Sequence, residues 1–194
     1  MKPLLSLCSL LLIVFCGFAE TAEHRPVAEA YFDPELKLTF PANIREFRKL
    51  EVIRSLNPMI GTTVRYSDPA GNCADVYFYM HPESDKEISE TQLNTHYQDV
   101  KEAIFSLPSK GISVKKVELI RESKIKLGSH TDPKKCIIGY QALFWIITKE
   151  NIAQNSTLIL FPFRGRIIKL RMTCDETKST EFFHGIIQTF FGNL

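Results

Sequence analysis

The chain has 194 residues, of which 44% are hydrophobic and 24% are charged, and its formal net charge is +2. This apolar content is typical of a globular protein and excludes wholesale disorder, and the length predicts one domain. A charge so close to neutral creates no overall field that would draw the protein to nucleic acid, so no nucleic-acid partner is predicted.

The first nineteen residues have the pattern of a secretory signal. Lys2 precedes an apolar run from Leu4 to Phe18, and small residues, Gly17 and Ala19, stand three and one positions before Glu20. The run is too short to span a bilayer comfortably, which takes about 20 apolar residues. We predict a signal peptide at 1–19, and hence a periplasmic or secreted protein with no transmembrane span after cleavage. A retained N-terminal anchor is the alternative.

Residues 20–35 are polar, contain two prolines and lack a hydrophobic period. This pattern predicts a flexible leader, followed by a single α+β domain at 36–194. Short strands are predicted at 36–40 and 47–55.

Two β-rich runs, 61–67 and 74–81, are joined by the turn formers at 68–72 and predict a hairpin. Alternation in the second arm divides its side chains between two faces. One face carries Val76, Phe78 and Met80, and the other carries Asp75, Tyr77 and Tyr79.

A helix is predicted to begin at Ser89. Ser89 and Gln92 fit a capping box, in which each side chain bonds the backbone N–H of the other residue. Apolar residues then recur at steps of four and three, on one face of the helix: Leu93, Tyr97, Val100, Ile104 and Leu107. Pro108 and Gly111 predict the end of this helix.

Four strands follow. Residues 114–127 alternate between apolar and polar, which predicts one wet face in an antiparallel sheet. Residues 136–148 are apolar on both alternating faces, so this strand needs a layer above it and another below. Residues 156–163 and 166–174 predict a second hairpin. In its second arm Lys169 and Arg171 share one side, interpreted as the wet side of a half-buried strand. The alternative is an anion-binding patch made of Arg164, Arg166, Lys169 and Arg171.

The last predicted element is a helix with an aromatic stripe that Gly192 closes. Its apolar residues recur at helical spacing: Phe182, Phe183, Ile186, Ile187, Phe190 and Phe191. Such a stripe must be docked, or it would expose a large apolar patch. Because the strand at 136–148 is dry on both sides, the two helices are expected on opposite faces. The predicted fold class is α+β, an antiparallel β-sheet covered by helices on both faces.

The second half of the chain resembles the core of PsbP-like proteins. The resemblance rests on a strand with GYQALFW, a hairpin with TLILFPFRGRIIKLRMTC and a closing FFHGIIQTFF helix. The chain also looks like small uncharacterised secreted bacterial proteins with an ADVYFY segment, here at 74–79. The resemblance covers roughly residues 36–194 and has no diagnostic motif. It implies an α/β/α sandwich and a binding or assembly role, and it supplies no functional residues.

No catalytic motif is recognised in the sequence. The histidines are scattered, no Cys/His spacing predicts a metal centre, and neither a nucleophile motif nor a phosphate loop occurs. We therefore assign no catalytic, cofactor-binding or metal residues and no cofactor. The leading hypothesis is a secreted or periplasmic non-enzymatic binding or assembly module with a protein or envelope partner. The alternative is an envelope hydrolase or another enzyme whose catalytic residues are dispersed in the sequence.

Charge is segregated along the chain, with acids concentrated in 74–102 and bases in 108–135. Four lysines of the predicted strand at 114–127 form a possible surface basic patch: Lys115, Lys116, Lys124 and Lys126. An acidic partner or a membrane surface would fit such a patch. Lysines on an edge strand also prevent sheet-to-sheet aggregation, which is the structural alternative.

Three cysteines remain after signal cleavage: Cys73, Cys136 and Cys174. An odd count leaves at least one of them without a partner in the chain. In a meander, Cys136 begins one strand and Cys174 ends a strand that runs the same way, so the two should lie at opposite ends of the sheet. A disulfide, if one forms, is therefore expected to join Cys73 to Cys136 or to Cys174.

Overall fold

The computed structural model describes residues 23–26, 29–57, 59–81, 87–110, 113–128 and 136–192. The predicted signal peptide lies outside these residues. The strands are β1 (Glu23–Pro26), β2 (Tyr31–Asp33), β3 (Leu38–Phe40), β4 (Asn43–Ile44), β5 (Phe47–Arg54), β6 (Thr62–Ser67), β7 (Cys73–Met80), β8 (Val114–Leu127), β9 (Ile137–Thr148), β10 (Ala153–Phe163) and β11 (Arg166–Thr173). The α-helices are α1 (Glu90–Phe105) and α2 (Glu176–Phe191), and a short 3-10 helix at Leu107–Lys110 follows α1. None of the helices so described is long and apolar enough to cross a bilayer.

One antiparallel sheet contains most of these strands. Its order is β1-β5-β6-β7-β11-β10-β9-β8, with β4 added beside β5, while β2 and β3 pair only with each other. The predicted hairpins are β6–β7 and β10–β11, and the last four strands form the expected meander. β11 pairs with β7 and so joins the two halves of the chain into a single sheet.

The helices lie on opposite faces, as the sequence predicted. α1 lies over β8, β9 and β10, and its buried stripe of Leu93, Tyr97, Val100 and Ile104 packs on that face. The capping box at Ser89 is confirmed: the backbone N–H of Gln92 donates to Ser89 Oγ, and that of Ser89 donates to Gln92 Oε1. The protein therefore has the predicted α+β fold, a large antiparallel sheet with a helix on each face.

α2 docks through the predicted aromatic stripe. Phe182, Ile186 and Phe190 are buried, and the ring centroid of Phe182 lies 5.0 Å from that of Phe47. Gly185 permits this close docking, because a Cβ there would come within 2.5 Å of the side chain of Ile44 on β4.

Part of the predicted flexible leader belongs to the fold. Residues 23–26 pair with β5, and residues 31–33 form β2. Asp33 is fully buried, and its carboxylate accepts hydrogen bonds from the backbone of Glu35 and Leu36 and from the Thr62 hydroxyl. This segment is held by the hydrogen bonds of a buried aspartate rather than by a periodic row of apolar residues. Its sequence therefore has the same pattern as a flexible leader.

β8 departs from the single wet face that was predicted. The pairing with β9 shifts between Leu119 and Arg121. As a result Val117 and Leu119 pack on the α1 side of the sheet, whereas Ile125 and Leu127 pack on the α2 side. One extra residue in a strand moves every later side chain to the opposite face of the sheet. The alternation of apolar and polar residues in the sequence does not show where such a residue occurs.

Candidate functional site

The four lysines of the predicted basic patch are exposed along β8, which is an edge strand of the sheet. Three of them have polar neighbours: Lys115 donates to Asn151 Oδ1 at 2.8 Å, Lys116 pairs with Glu118 at 2.5 Å, and Lys124 pairs with Glu90 at 2.6 Å.

Distance divides these lysines into two pairs. Lys116 and Lys124 are separated by eight positions of extended chain, roughly 26 Å at about 3.3 Å per residue. Lys115 and Lys116 thus lie at one end of β8, and Lys124 and Lys126 lie towards the other. This arrangement fits protection of an edge strand better than one continuous patch.

Neither predicted disulfide of Cys73 is formed, because Cys136 and Cys174 both carry free thiols. Cys73 lies opposite Thr173 in the β7–β11 register, so alternation sends the side chain of Cys174 to the other face. There its Sγ lies 3.1 Å from Ser179 Oγ. Cys136 precedes β9, three strand spacings or about 14 Å from β7, beyond the reach of a disulfide.

Charged side chains gather on the part of the α1 face that β5, β6, β7 and β11 form. Glu51 lies opposite Arg65, Arg65 opposite Asp75, and Asp75 opposite Arg171, each on the next strand of the sheet. These four residues, here called the polar row, alternate in charge across four strands. Their order follows from the register alone, because residues directly opposite one another share a face.

The first three members of the polar row bond to one another, although Nη2 of Arg65 is buried without a hydrogen-bond partner in the described residues. Arg65 Nε donates to Asp75 Oδ1 at 2.9 Å, and Arg65 Nη1 donates to Glu51 Oε1 at 2.6 Å. Tyr77 also donates its hydroxyl to Asp75 Oδ2 at 3.3 Å. Burial raises the pKa of Asp75, whereas the positive charges of Arg65 and Lys169 oppose that rise. Asp75 is thus a carboxylate that is fully engaged by its neighbours.

Arg171, the fourth member, differs from the others. Only 7% of this residue is exposed, and Nε, Nη1 and Nη2 have no hydrogen-bond partner in the part of the chain that the structure describes. Its guanidinium carbon lies 5.4 Å from the ring centroid of Phe144. Burial lowers the pKa of Arg171 to about 10, so the group is still charged at neutral pH. A buried guanidinium with three unbonded nitrogens is rare, because buried polar groups are almost always paired.

Lys169 adds a second positive charge two residues before Arg171 on the same face. Its Nζ lies 3.9 Å from the ring centroid of Tyr77 and 5.6 Å from that of Tyr79. Burial, together with the charge of Arg171, lowers the pKa of Lys169 to about 8. The polar row and Lys169 together hold three basic and two acidic side chains, so positive charge is in excess.

Burial of Arg171 corrects the interpretation of β11 as a half-wet strand. The sequence placed Lys169 and Arg171 on one side of the strand correctly. That side is covered, because Ile167 on it belongs to the buried cluster that packs with α1 and the ring of Phe144 lies beside Arg171. The signal that could have indicated the site is the set of charges at Arg65, Asp75 and Arg171 inside otherwise apolar strands.

A tyrosine–histidine contact links α1 to β7 near the polar row. Tyr79 and His96 share a hydrogen bond of 2.7 Å between the hydroxyl and Nε2, and the ring of His81 lies 5.7 Å from that of His96. Burial is the main cause that lowers the pKa of His96 to about 4, so this histidine is neutral at physiological pH. Within the described ranges, no group of three or more His, Cys, Asp or Glu side chains could hold a metal ion.

Comparison with known proteins gives a structural similarity and no sequence match. The chain matches no protein-family model and no curated protein sequence. Among solved structures it is similar to the solution structure of cyanobacterial PsbP (CyanoP) from Synechocystis sp. PCC 6803, with 15% sequence identity and a TM-score of 0.49. The match covers 90% of this chain and 93% of that chain. No function is taken from this similarity.

Proposed function

We propose that this protein is an exported, non-enzymatic binding module that takes an anionic ligand at the polar row. The observation that carries the proposal is the guanidinium of Arg171, buried and charged with three nitrogens unbonded. Isolation of such a charge from water costs several kcal/mol, and an anion that accepts its hydrogen bonds would offset that cost.

The same residues favour binding over catalysis. The polar row supplies hydrogen-bond donors for a negative group, but its one deeply buried carboxylate, Asp75, already accepts from Arg65 and Tyr77. Nucleophilic catalysis needs a hydroxyl or thiol next to an available base, and the polar row contains no such pair. An arrangement of this kind can hold and orient an anion.

Export rests on the sequence of residues 1–19, and N-terminal sequencing of the protein from its native host tests it. We expect the mature chain to begin at Glu20 and to be recovered from the periplasm or the medium. An intact Met1 on a cytoplasmic species would contradict export and leave the binding proposal unaffected.

The binding proposal is tested by thermal unfolding of mature protein, residues 20–194. Millimolar acetate, sulfate and phosphate are compared with chloride at equal ionic strength. A ligand that binds only the folded state raises the melting temperature by mass action, so at least one of these anions should do so. Arg171→Met should abolish the rise.

The matched control is Arg166→Met. Arg166 lies on the same strand as Arg171, but the alternation of β11 directs it to the opposite face. This variant should respond to anions as the wild type does. Equal responses of wild type and Arg171→Met to every anion would refute the proposed function.

A further inference from the structure

We infer that the ligand of the Arg171 site is a small free monocarboxylate. The inference rests on the proposed function and names the chemical class of the anion. Its basis is the fork of N–H groups on Arg171, none of which is bonded in the described structure. A guanidinium fork matches the two coplanar oxygens of a carboxylate in a bidentate pair.

Charge balance favours an anion with a single negative charge. Arg65, Lys169 and Arg171 contribute three positive charges, and Glu51 and Asp75 contribute two negative ones, which leaves an excess of one. A monoanion would neutralise this excess. A phosphate dianion would exceed it and would place its second charge near Asp75, the residue opposite Arg171 in the sheet.

The supply of donors also favours a planar ligand. β11 is paired on both sides, with β7 and with β10, so its backbone N–H groups are used within the sheet. The first turn of α1 is capped by Ser89, and its Glu90 pairs with Lys124 on β8, while α2 packs on the other face of the sheet. A tetrahedral oxyanion usually takes such additional donors for its remaining oxygens. A carboxylate has no oxygens out of plane that would need them.

Apolar surroundings limit the size of the ligand. The ring of Phe144 lies beside the guanidinium of Arg171, and the cluster around Phe144 includes Leu158, Ile104 and Val114 from three other elements. Arg171 is 7% exposed and its three guanidinium nitrogens are buried, so a ligand must displace packed side chains to reach the fork, and a larger head group would displace more of them. We therefore assign the carboxylate to a small free acid rather than to a bulky polyanion.

Calorimetric titration of mature protein with acetate, benzoate, sulfate and phosphate at equal ionic strength tests this inference. The carboxylates should bind roughly tenfold or more tightly than sulfate and phosphate. Arg171→Lys keeps the charge and removes the fork, so it should lose the preference for carboxylate while still responding weakly to anions. Arg166→Met should keep the wild-type preference. The melting temperature of each variant, measured alongside, verifies that it is folded.

The outcomes separate the inference from the proposed function. Sulfate or phosphate binding as tightly as the carboxylates would overturn the monocarboxylate and leave anion binding in place. No binding of any anion would overturn both. Triglycine and its C-terminal amide distinguish the source of the carboxylate. Triglycine binding more tightly than either free acid, with no binding of its amide, would assign the site to a peptide terminus and overturn the small free acid.

Discussion

The two faces of the sheet bury side chains of different kinds. The α2 face is packed with aromatic rings, and the ring of Phe190 lies edge-on to those of Phe40 and Phe78, at centroid distances of 5.4 and 5.5 Å. A buried lysine on that face, Lys49, donates to the backbone carbonyl of Phe40. On the α1 face the charge of Arg171 is buried without such a bond in the described structure.

This difference assigns stability mainly to the α2 face, and the proposed anion site lies on the α1 face. Aromatic packing removes apolar surface from water and so lowers the free energy of the folded state. A buried, unbonded charge raises that free energy, and it is tolerated only because the remaining packing offsets the cost. Truncation of a buried aromatic ring on the α2 face and removal of the Arg171 charge on the α1 face should therefore change the free energy of unfolding in opposite directions.

The largest effect is expected from Phe182→Ala on the α2 face. Phe182 has no exposed surface and contacts the rings of Phe47 and Tyr66. Its truncation should lower the free energy of unfolding by about 3–5 kcal/mol, measured by denaturant titration. Phe32→Ala is the control. Because Phe32 is 58% exposed, its truncation should lower the free energy of unfolding by less than about 1 kcal/mol. A similar small loss for Phe182 would contradict docking of α2 by its aromatic stripe.

Replacement of the two arginines of the polar row by methionine should change the free energy of unfolding in opposite directions. Arg65→Met removes the partner of buried Asp75 and should lower the free energy of unfolding by about 3 kcal/mol. Arg171→Met removes an unbonded charge and should raise it by about 2 kcal/mol in a buffer that contains only chloride. Denaturant titrations of the two variants measure both changes. Destabilisation by Arg171→Met under these conditions would mean that the guanidinium is paired in solution.

Acid should lower the free energy of unfolding through His96, which lies on the α1 face. Because its pKa is about 4 in the folded protein and about 6.5 in the unfolded chain, only the unfolded chain takes up a proton between these values. The contribution of neutral His96 is therefore present above pH 6.5 and is lost as the pH falls towards 4. With allowance for partial exposure, we expect a loss of about 2 kcal/mol, measured as the slope of stability against pH.

Two variants identify the origin of this acid slope. His96→Gln should flatten it between pH 6.5 and 4. Tyr79→Phe removes the hydroxyl that bonds His96 and leaves the histidine buried, so most of the slope should persist. Equal slopes in wild type and His96→Gln would show that His96 does not carry the pH dependence.

Local signals explain what the sequence predicted well. The start of α1 at Ser89 and the stripe that begins at Leu93 depend on residues three or four positions apart, which the sequence displays directly. The polar row depends on register between strands far apart in the chain, such as the pairing of Asp75 with Arg171. The side chains that pack on this face of β11, such as Phe144 of β9, decide whether Arg171 is wet or buried, and no local pattern specifies them.

The smallest effect is expected from the removal of one tyrosine hydroxyl on each face of the sheet. Tyr66 donates to the carbonyl of Pro41 at 3.1 Å, on the α2 side. On the α1 side the Tyr97 hydroxyl lies 3.1 Å from both Glu122 Oε2 and the carbonyl of Gln141. Tyr66→Phe and Tyr97→Phe should each lower the free energy of unfolding by about 1 kcal/mol, because each removes one hydrogen bond and keeps the ring.

Salt should distinguish these two hydroxyls. Tyr97 shares Glu122 with Lys101, whose Nζ donates to the same Oε2 at 2.8 Å, so its bond belongs to a charged network at the edge of α1. Added salt weakens interactions between partly exposed charges, whereas the Tyr66 bond joins two neutral groups in the core. The cost of Tyr97→Phe, measured by denaturant titration, should therefore fall with ionic strength, and that of Tyr66→Phe should stay constant. The same salt dependence in both variants would show that the α1 face does not rely on charge at Tyr97.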